Sequence, residues 1–575
     1  MNIRNVSNNI FKYENTVKIV IGVCLFVCLC GFDRRSSVIF YVIISILTVC
    51  AMMAINLRID IDFFKEHKVI SILTAFSTTF ALVGNKTLVY PINASADYRI
   101  IIFLIFLMLL FIPSISLLCL LGNRKEPGVY SKNLNRKYYF YILFTGFIII
   151  ETIYFIAFLP GIVSWDDYIV IAEAKGMWRL GEYEGLFYVL TRRILLSIID
   201  SVTFITSVQI VYADVVYSIV TSWLILKLDT TYNYKVLLLI SFLVAALPNN
   251  ALMTITLTKD TFWAVSFIWF LYSVARICSD DLSFIVLFQY IISGSLVWLI
   301  RQNGMLIIPS TFIVLLVWAV KKRKLKIIAA TLMTVSLIII SEACLRSVRY
   351  ESTHPGLKYV AAFQDLLGVY YSEGNLSDNT ADMIESVIDE DFIKVYDPYW
   401  AEYVTWKESL GEIPVSRFII NYVSTFLRNP LKMIKSVLLR QDMLWDIQCG
   451  VNGRETWQWW TKFVSDMWPD LIPERKVTVY GTIVDLFGKF TVNSGLKEFL
   501  WRGGISLQIC LLCFIVSLSK RINTIKYVPF LALILFYILG LGWEHYRYFW
   551  CINLASLFYF GYLICEDNES FDKYA

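Results

Sequence analysis

The chain reads as an all-α polytopic membrane protein, and two observations carry that expectation. Of its 575 residues, 58% are hydrophobic and only 17% are charged. The apolar residues also fall in runs close to the roughly 20 residues that a helix needs to cross a bilayer. A mean hydropathy of +0.63 over such a length is too apolar for a water-soluble globular protein.

The formal net charge of +5 comes from short basic clusters between apolar runs, not from a continuous stripe. That pattern argues against a nucleic-acid partner and reads as topology information. Most of the 12 cysteines lie inside apolar runs and histidine occurs only 3 times, so neither a disulfide framework nor a histidine-based zinc site is indicated. The first apolar run reads as the start of a series of spans, not as a cleavable leader.

Taken in order, spans are predicted at 17–32, 37–55, 69–90, 98–121, 138–159, 203–226, 236–256, 261–278, 283–300, 304–320, 327–344, 501–519, 527–542 and 546–564, about fourteen in all. The densest basic loops contain Arg124, Lys125, Lys132, Arg136 and Lys137, then Lys321 to Lys326, then Lys520, Arg521 and Lys526. The positive-inside rule makes all three cytoplasmic. An even number of predicted spans separates them, as same-side loops require. Arg34 and Arg35, in a loop expected outside, are a mild exception.

The same count places five polar connections on the opposite, external face: Asp166-Asp167, Lys259-Asp260, Arg301-Gln-Asn-Gly304, the stretch from about 345 to 500, and Trp543-Glu-His-Tyr-Arg-Tyr548. Ionised groups are costly near lipid, so carboxylates just beyond a helix that ends at Pro160 point to a proton acceptor, a cation ligand or an ion path. Asp166 and Asp167 are adjacent, so one is expected to be the reacting group, with Asp166 favoured, while Ser164 or Asp166 caps the short helix that follows. That helix is predicted over Ile169 to Lys175, with Gly176 ending it. Leu186 to Ile199 is apolar enough to lie in the membrane interface.

Lys259 at its turn is placed to meet a phosphate, with Asp260 orienting it or capping the next helix. Arg301, with Asn303 in the same tight turn, is a stronger candidate, because guanidinium is the preferred partner of phosphate. Glu544, His545 and Arg547 interrupt the last two spans; the plainest alternative for them is an ion pair between Glu544 and Arg547. Adjacent carboxylates leave a divalent cation open, although two alone make a poor Mg²⁺ or Mn²⁺ site. The marked charges cluster at span ends, which weighs against a transporter with polar groups at mid-membrane.

Between 345 and 500, helices are predicted over 379–389 and from Phe418 to Leu427, with Asn429-Pro430 interrupting before a second helix through Leu439. Trp400, Trp406, Trp445, Trp457, Trp459, Trp460 and Trp468 are dense there; they suit either lipid headgroups or stacking on sugar rings.

Pro160-Gly-Ile-Val-Ser-Trp-Asp-Asp167, Thr258-Lys-Asp260, Arg301-Gln-Asn-Gly304, Phe363-Gln-Asp-Leu366 and Arg547-Tyr548 occur in an order that resembles an uncharacterised bacterial family of GT-C type, the membrane glycosyltransferases that use polyprenyl-phosphate-linked sugars. The resemblance covers roughly 137 to 564. It implies that Asp166 or Asp167 matches the acid of the first external loop, the catalytic base, and that Lys259, Arg301 and Arg547 match basic positions facing the carrier phosphate. A His-Pro expected after the acidic loop is replaced by Glu182-Tyr-Glu-Gly-Leu-Phe187, which moves that role to Glu182 or Glu184 or changes the acceptor.

The implied architecture is accessory membrane helices over 1–125, a GT-C-like core over 137–344 with a catalytic external loop 160–202, an external and mainly helical domain over 345–500, C-terminal membrane helices over 501–564 and a cytoplasmic tail over 565–575. The implied function is transfer of a sugar from a polyprenyl-phosphate donor to an extracytoplasmic glycan, lipid or protein by inverting displacement, in the bacterial cytoplasmic membrane with the site on its external face. A lipid-linked oligosaccharide polymerase and a flippase or transporter are the alternatives.

Overall fold

The computed structural model describes residues 22, 23, 26, 41, 42, 45, 46 and 68–570, apart from 90–96, 123–134, 182–184, 229–231, 349–354, 389–395, 400, 406, 448–470, 473–477, 495, 520–522 and 543–544. The spans predicted at 17–32 and 37–55 lie almost wholly outside the described residues, as do Arg34, Arg35, Glu182, Glu184, Glu544 and every tryptophan named above except Trp445.

The longer helices of the first half are α1 (Lys68–Thr79), α2 (Asp97–Gly122), α3 (Arg136–Ala157), α4 (Trp165–Ala174), α5 (Leu186–Ile198), α6 (Val202–Leu228), α7 (Tyr234–Ala245), α8 (Pro248–Thr254), α9 (Lys259–Cys278), α10 (Phe284–Ile300), α11 (Gly304–Lys321) and α12 (Leu325–Arg346). Two short strands, β1 (Ile162–Val163) and β2 (Thr256–Leu257), pair in parallel. The second half contributes α13 (Val360–Tyr371), α14 (Asp378–Glu385), α15 (Val415–Arg428), α16 (Pro430–Arg440), α17 (Val479–Asn493), α18 (Gly504–Ser519), α19 (Val528–Gly540) and α20 (Tyr546–Ser570).

The chain is thus a polytopic helical membrane protein; the count of about fourteen spans is not reached by helix length among the described residues, which leave out most of the first two predicted spans. Among the described residues, 7 helices are long and apolar enough to cross a membrane, or 8 if α7 and α8 form one span broken at 65°. Pro248 opens α8 at its N1 position, where a missing N–H costs nothing. Extended backbone at Arg301 stops α10 after 17 residues.

One end of the bundle carries the expected polar connections. Helices α3 and α10 finish there, and α6, α9, α11 and α20 begin there. The basic clusters gather at the other end, where Arg136 donates to Tyr272 (2.7 Å), Lys324 pairs with Asp280 (3.1 Å) and Lys526 lies over the Tyr562 ring (4.2 Å). Outward side chains of the bundle are apolar, for example Ile149, Met333 and Ile340, as contact with lipid hydrocarbon requires.

Helices α13 to α16 enclose a core of their own, with Phe363, Leu366, Met383, Ile384 and Met433 buried in it. The predicted break at Asn429-Pro430 is observed between α15 and α16. This unit is fastened to the bundle by Arg440, which is 1% exposed. Its guanidinium pairs with Asp365 (2.8 Å) and donates to the carbonyls of Ile538 (2.8 Å) and Leu541 at the end of α19, satisfying acceptors that a helix end leaves free. Asp365 of the Phe363–Leu366 motif therefore has a structural partner. The outer face of α15 and α16 exposes Ile420 (67%), Leu427 (73%) and Leu431 (75%), an apolar stripe of the kind that interfacial helices carry. Ile194 and Ile198 of α5 are exposed in the same way.

Residues Phe80–Val89, which follow α1, are joined to the segment after α16: Ile447 donates to the Ala81 carbonyl (2.8 Å), and Asn85 donates to Asp442 (3.1 Å) and Asp446 (3.0 Å).

Candidate active site

Two short parallel strands assemble the site. In register, Ile162 faces Thr256 and Val163 faces Leu257. Each strand is followed by one capping residue and then by a helix: Ser164 before α4, Thr258 before α9. Asp166 and Asp260 consequently occupy the same second position of two adjacent helix N-termini, where the helix dipole favours negative charge. The pairing is held from α6. Gln209 Nε2 donates to the carbonyls of Thr254 (3.0 Å) and Thr256 (2.7 Å), Thr206 Oγ1 donates to Pro160 O (2.8 Å), and Arg192 donates to Gln209 Oε1 (2.7 Å).

Arg547, at the start of α20, bridges the two acids. One of its terminal nitrogens lies 2.6 Å from Asp166 Oδ2 and its Nε 3.2 Å from Asp260 Oδ2. Arg301 pairs with the other oxygen of Asp260. Tyr548 lies against both guanidiniums, its ring centroid 4.5 Å from Arg301 Cζ and 5.0 Å from Arg547 Cζ, and its hydroxyl accepts from Arg547 (3.0 Å). Asp260 is 1% exposed, but Arg301, Arg547 and Asp166 keep 13%, 12% and 21% of their side chains in the open. The cluster is therefore a built ion network with one accessible edge.

The turn that presents Arg301 depends on Gly304. A Cβ there would sit 2.4 Å from Val297 O and 2.5 Å from Trp298 Cα, both backbone atoms, so the reversal between α10 and α11 closes only around a glycine.

The two acids of the loop divide their work. Asp167 is 2% exposed and accepts from the Ser164 N–H (3.0 Å) and hydroxyl (2.5 Å), closing a capping box. The cap is thus Ser164, one of the two residues expected there, and it is completed by Asp167, while Asp166 takes no part in it. The helix also starts earlier than predicted, at Trp165, but ends as predicted. Gly176, at φ +73°, donates to Glu173 O and Met177 to Ala172 O, the hydrogen-bond pair of a Schellman terminus.

Burial, eased by the Ser164 hydrogen bonds and aggravated by Asp166, pushes the Asp167 carboxyl up to about 7. Burial alone would raise Asp166 too, but Arg547 and Lys259 hold it below the usual carboxylate range. Burial and the neighbouring Arg547 push the His545 imidazole down to about 3, so His545 is not one of the site's cations near neutral pH. Lys259 is half-buried and acts electrostatically on Asp166.

Asn303 is buried beside Arg301, and its Nδ2 has no hydrogen-bond partner. Glu544 lies outside the described residues; Arg547 pairs with Asp166 and Asp260. Asp260 does not cap α9, since Thr258 does. Among the described residues no three His, Cys, Asp or Glu side chains could hold a metal ion together, and oxygens of both site carboxylates already face guanidinium. The donor set does not fit a divalent cation.

Comparison with known protein families, with curated proteins and with solved structures finds no match to this chain. What can be said of its chemistry rests on its own residues. Three cationic side chains, Lys259, Arg301 and Arg547, surround two carboxylates, and two helix N-termini add backbone N–H groups, so the site suits an anion with several oxygens.

Sequence reasoning gave Tyr548 and Gln209 no role. It also passed over Glu151 in α3 and Asp214 in α6, both buried within predicted spans. An ionisable residue inside an apolar run is itself the signal that would have found the latter pair, and their presence adds charges within spans to those that cluster at span ends.

Proposed function

We propose that this protein is a membrane glycosyltransferase of GT-C type that moves a sugar from a polyprenyl phosphate to an acceptor on the external face of a bacterial cytoplasmic membrane. The observation that carries the reading is the bridge of Arg547 between Asp166 and Asp260, with Arg301 and Lys259 beside it. A donor phosphate entering the open edge competes with Asp166 for Arg547. Once the guanidinium turns to phosphate, Asp166 loses the charge that depresses its basicity and becomes able to accept a proton.

The acceptor hydroxyl then attacks the anomeric carbon. Its O–H proton passes to Asp166 as the new C–O bond forms. The bond from the anomeric carbon to the phosphate oxygen breaks, and its electron pair leaves on polyprenyl phosphate, neutralised by Arg301, Arg547 and Lys259. A single displacement of this kind inverts the anomeric centre. Base catalysis typically supplies about 10²- to 10⁴-fold, and clamping of the leaving anion supplies most of the remainder.

The test is release of free polyprenyl phosphate by purified protein given candidate polyprenyl-phosphate sugars and a glycan acceptor. Asp166→Asn is expected to lower turnover by about 10²-fold or more while donor binding persists. Turnover unchanged in Asp166→Asn, or no release with any donor, overturns the reading. One observation favours a second reading, a transporter of lipid-linked saccharide: Glu151 and Asp214 lie inside spans beside the broken α7–α8 pair, the arrangement that mid-membrane binding sites use. Movement of a lipid-linked sugar across proteoliposomes without its cleavage would favour that reading.

A further inference from the structure

Inside the bundle, away from the arginine cluster, a cavity of about 320 Å³ is bounded by α3, α6, α7, α8, α9 and α20. Glu151 and Asp214 line it and are 2% and 0% exposed. Glu151 Oε2 and both oxygens of Asp214 have no hydrogen-bond partner, and neither does the nearby Tyr217 hydroxyl. The two carboxylates are close enough to act on each other electrostatically. Counted along their helices, they lie roughly 9 Å and 18 Å from the active-site end, at 1.5 Å per residue, well within the hydrocarbon.

Two neighbouring carboxylates in a medium of low dielectric do not both stay ionised without a positive partner. Among the described residues, no Lys, Arg or His side chain lines this cavity. The remaining wall is almost entirely hydrocarbon, and three of its residues, Ile240, Leu557 and Phe560, are 51%, 44% and 43% exposed. The mouth therefore opens on the lipid-facing surface. Besides the two acids the polar side chains of the lining are the neutral Tyr217, Thr221, Ser241, Asn250 and Thr254, and an amphiphile arriving from the bilayer would find both a counter-charge and a wall for its chain.

We propose that this cavity binds a hydrophobic ammonium compound, its cationic nitrogen between Glu151 and Asp214 and its hydrocarbon against Leu224, Leu237, Ile240 and Leu557. The charge logic is the reverse of the active site's: there arginines await an anion, here carboxylates await a cation. A polyprenyl phosphate head would be repelled from this cavity, so the two sites take different molecules.

The experiment uses the full chain in lipid nanodiscs and three fluorescent probes of equal length, an 11-(dansylamino)undecyl chain ending in an amine, an alcohol or a carboxylate. Saturable binding of the amine is expected, with affinity at least tenfold above the alcohol and no saturable binding of the carboxylate. Asp214→Asn and Glu151→Gln should each weaken the amine at least tenfold while leaving the alcohol unchanged.

A second measurement needs no variant: a hydrophobic carbodiimide should label Glu151 or Asp214 in the wild type, read by mass spectrometry of the digested chain, and dodecylammonium should protect both. Equal affinity for all three probes, or amine binding unchanged in both variants, overturns the proposal. Protection by sodium but not by dodecylammonium assigns the acids to a metal ion and overturns it equally.

Discussion

Two pairs of carboxylates in this protein differ in a single respect that decides what each can do. Asp166 and Asp260, at the end of the bundle, are joined through Arg547, with Arg301 on the far side of Asp260. Glu151 and Asp214, within the bundle, face one another with oxygens that nothing in the fold satisfies. The first pair is held by cations that an incoming anion can borrow. The second is an incomplete one, and its missing element must come from outside the chain.

The strongest way to break this contrast is to remove the shared cation. Arg547→Ala leaves Asp166 and Asp260 facing each other with only Arg301 and Lys259 nearby. Loss of one partner from a buried pair costs roughly 3–5 kcal/mol, so a large fall in the thermal midpoint of detergent-solubilised protein is expected, together with loss of polyprenyl-phosphate binding. Arg547→Lys should recover part of the stability but little of the binding, because an ammonium does not present the planar fork that spans two acceptors. A midpoint unchanged in Arg547→Ala would mean that the two acids are not held by this residue.

A second test separates Asp167 from its neighbour by pH. In the native state the Asp167 carboxyl is raised to about 7, whereas an unfolded aspartate titrates near 3.9. Between those values the native protein holds a proton that the unfolded chain has released, so unfolding free energy falls as pH rises. The loss is at most about 1.4 kcal/mol per pH unit across that window. Asp166, held below its usual range, contributes with the opposite sign and loses its contribution only on stronger acidification. His545, pushed to about 3, stays neutral throughout. Asp167→Asn should therefore flatten the stability profile between about pH 4 and pH 7, and an undiminished slope in that variant would place the titration elsewhere.

The convergence of Asp166, Lys259, Arg301 and Arg547 was legible in the sequence because charge and parity alone put their connections on one side of the bundle. How they meet was not. The strands that align the two acids are two residues each, too short for any periodicity to announce, and Gln209, which holds them together, sits in an apolar run where a single amide carries no pattern. The length of apolar sequence likewise hid the break at Pro248, which bends one predicted span by 65°, whereas the stop of α10 before Arg301 falls where the sequence placed it. Glu151 and Asp214 were fully visible as acids inside spans.

A smaller effect is expected where geometry, not charge, positions the cluster. Gly304→Ala puts a methyl carbon against Val297 O and Trp298 Cα, and backbone atoms cannot turn aside as a side chain can. Overpacking of this kind costs roughly 1–3 kcal/mol. The change must also displace Arg301, so phosphate binding should weaken even at temperatures where the variant is fully folded. Binding and stability both at wild-type values would show that the turn has room that its contacts deny.

The smallest effect carries the opposite sign, and that sign is what separates the two acid pairs. Asp214 is 0% exposed with both carboxylate oxygens unpartnered, so in the empty protein a buried carboxyl there has a cost and no return. Asp214→Asn keeps the shape and removes the cost of holding an ionisable carboxyl in this buried, cation-free place, and a gain of about 1 kcal/mol is expected. In the presence of saturating dodecylammonium the order should invert, because ligand that binds only the native wild type adds stability as its concentration exceeds its dissociation constant. Thermal midpoints of both proteins, with and without the amine, measure this directly. A variant less stable than wild type in the absence of amine would mean that Asp214 already has a favourable partner, and the cavity would then hold no vacancy for a cation to fill.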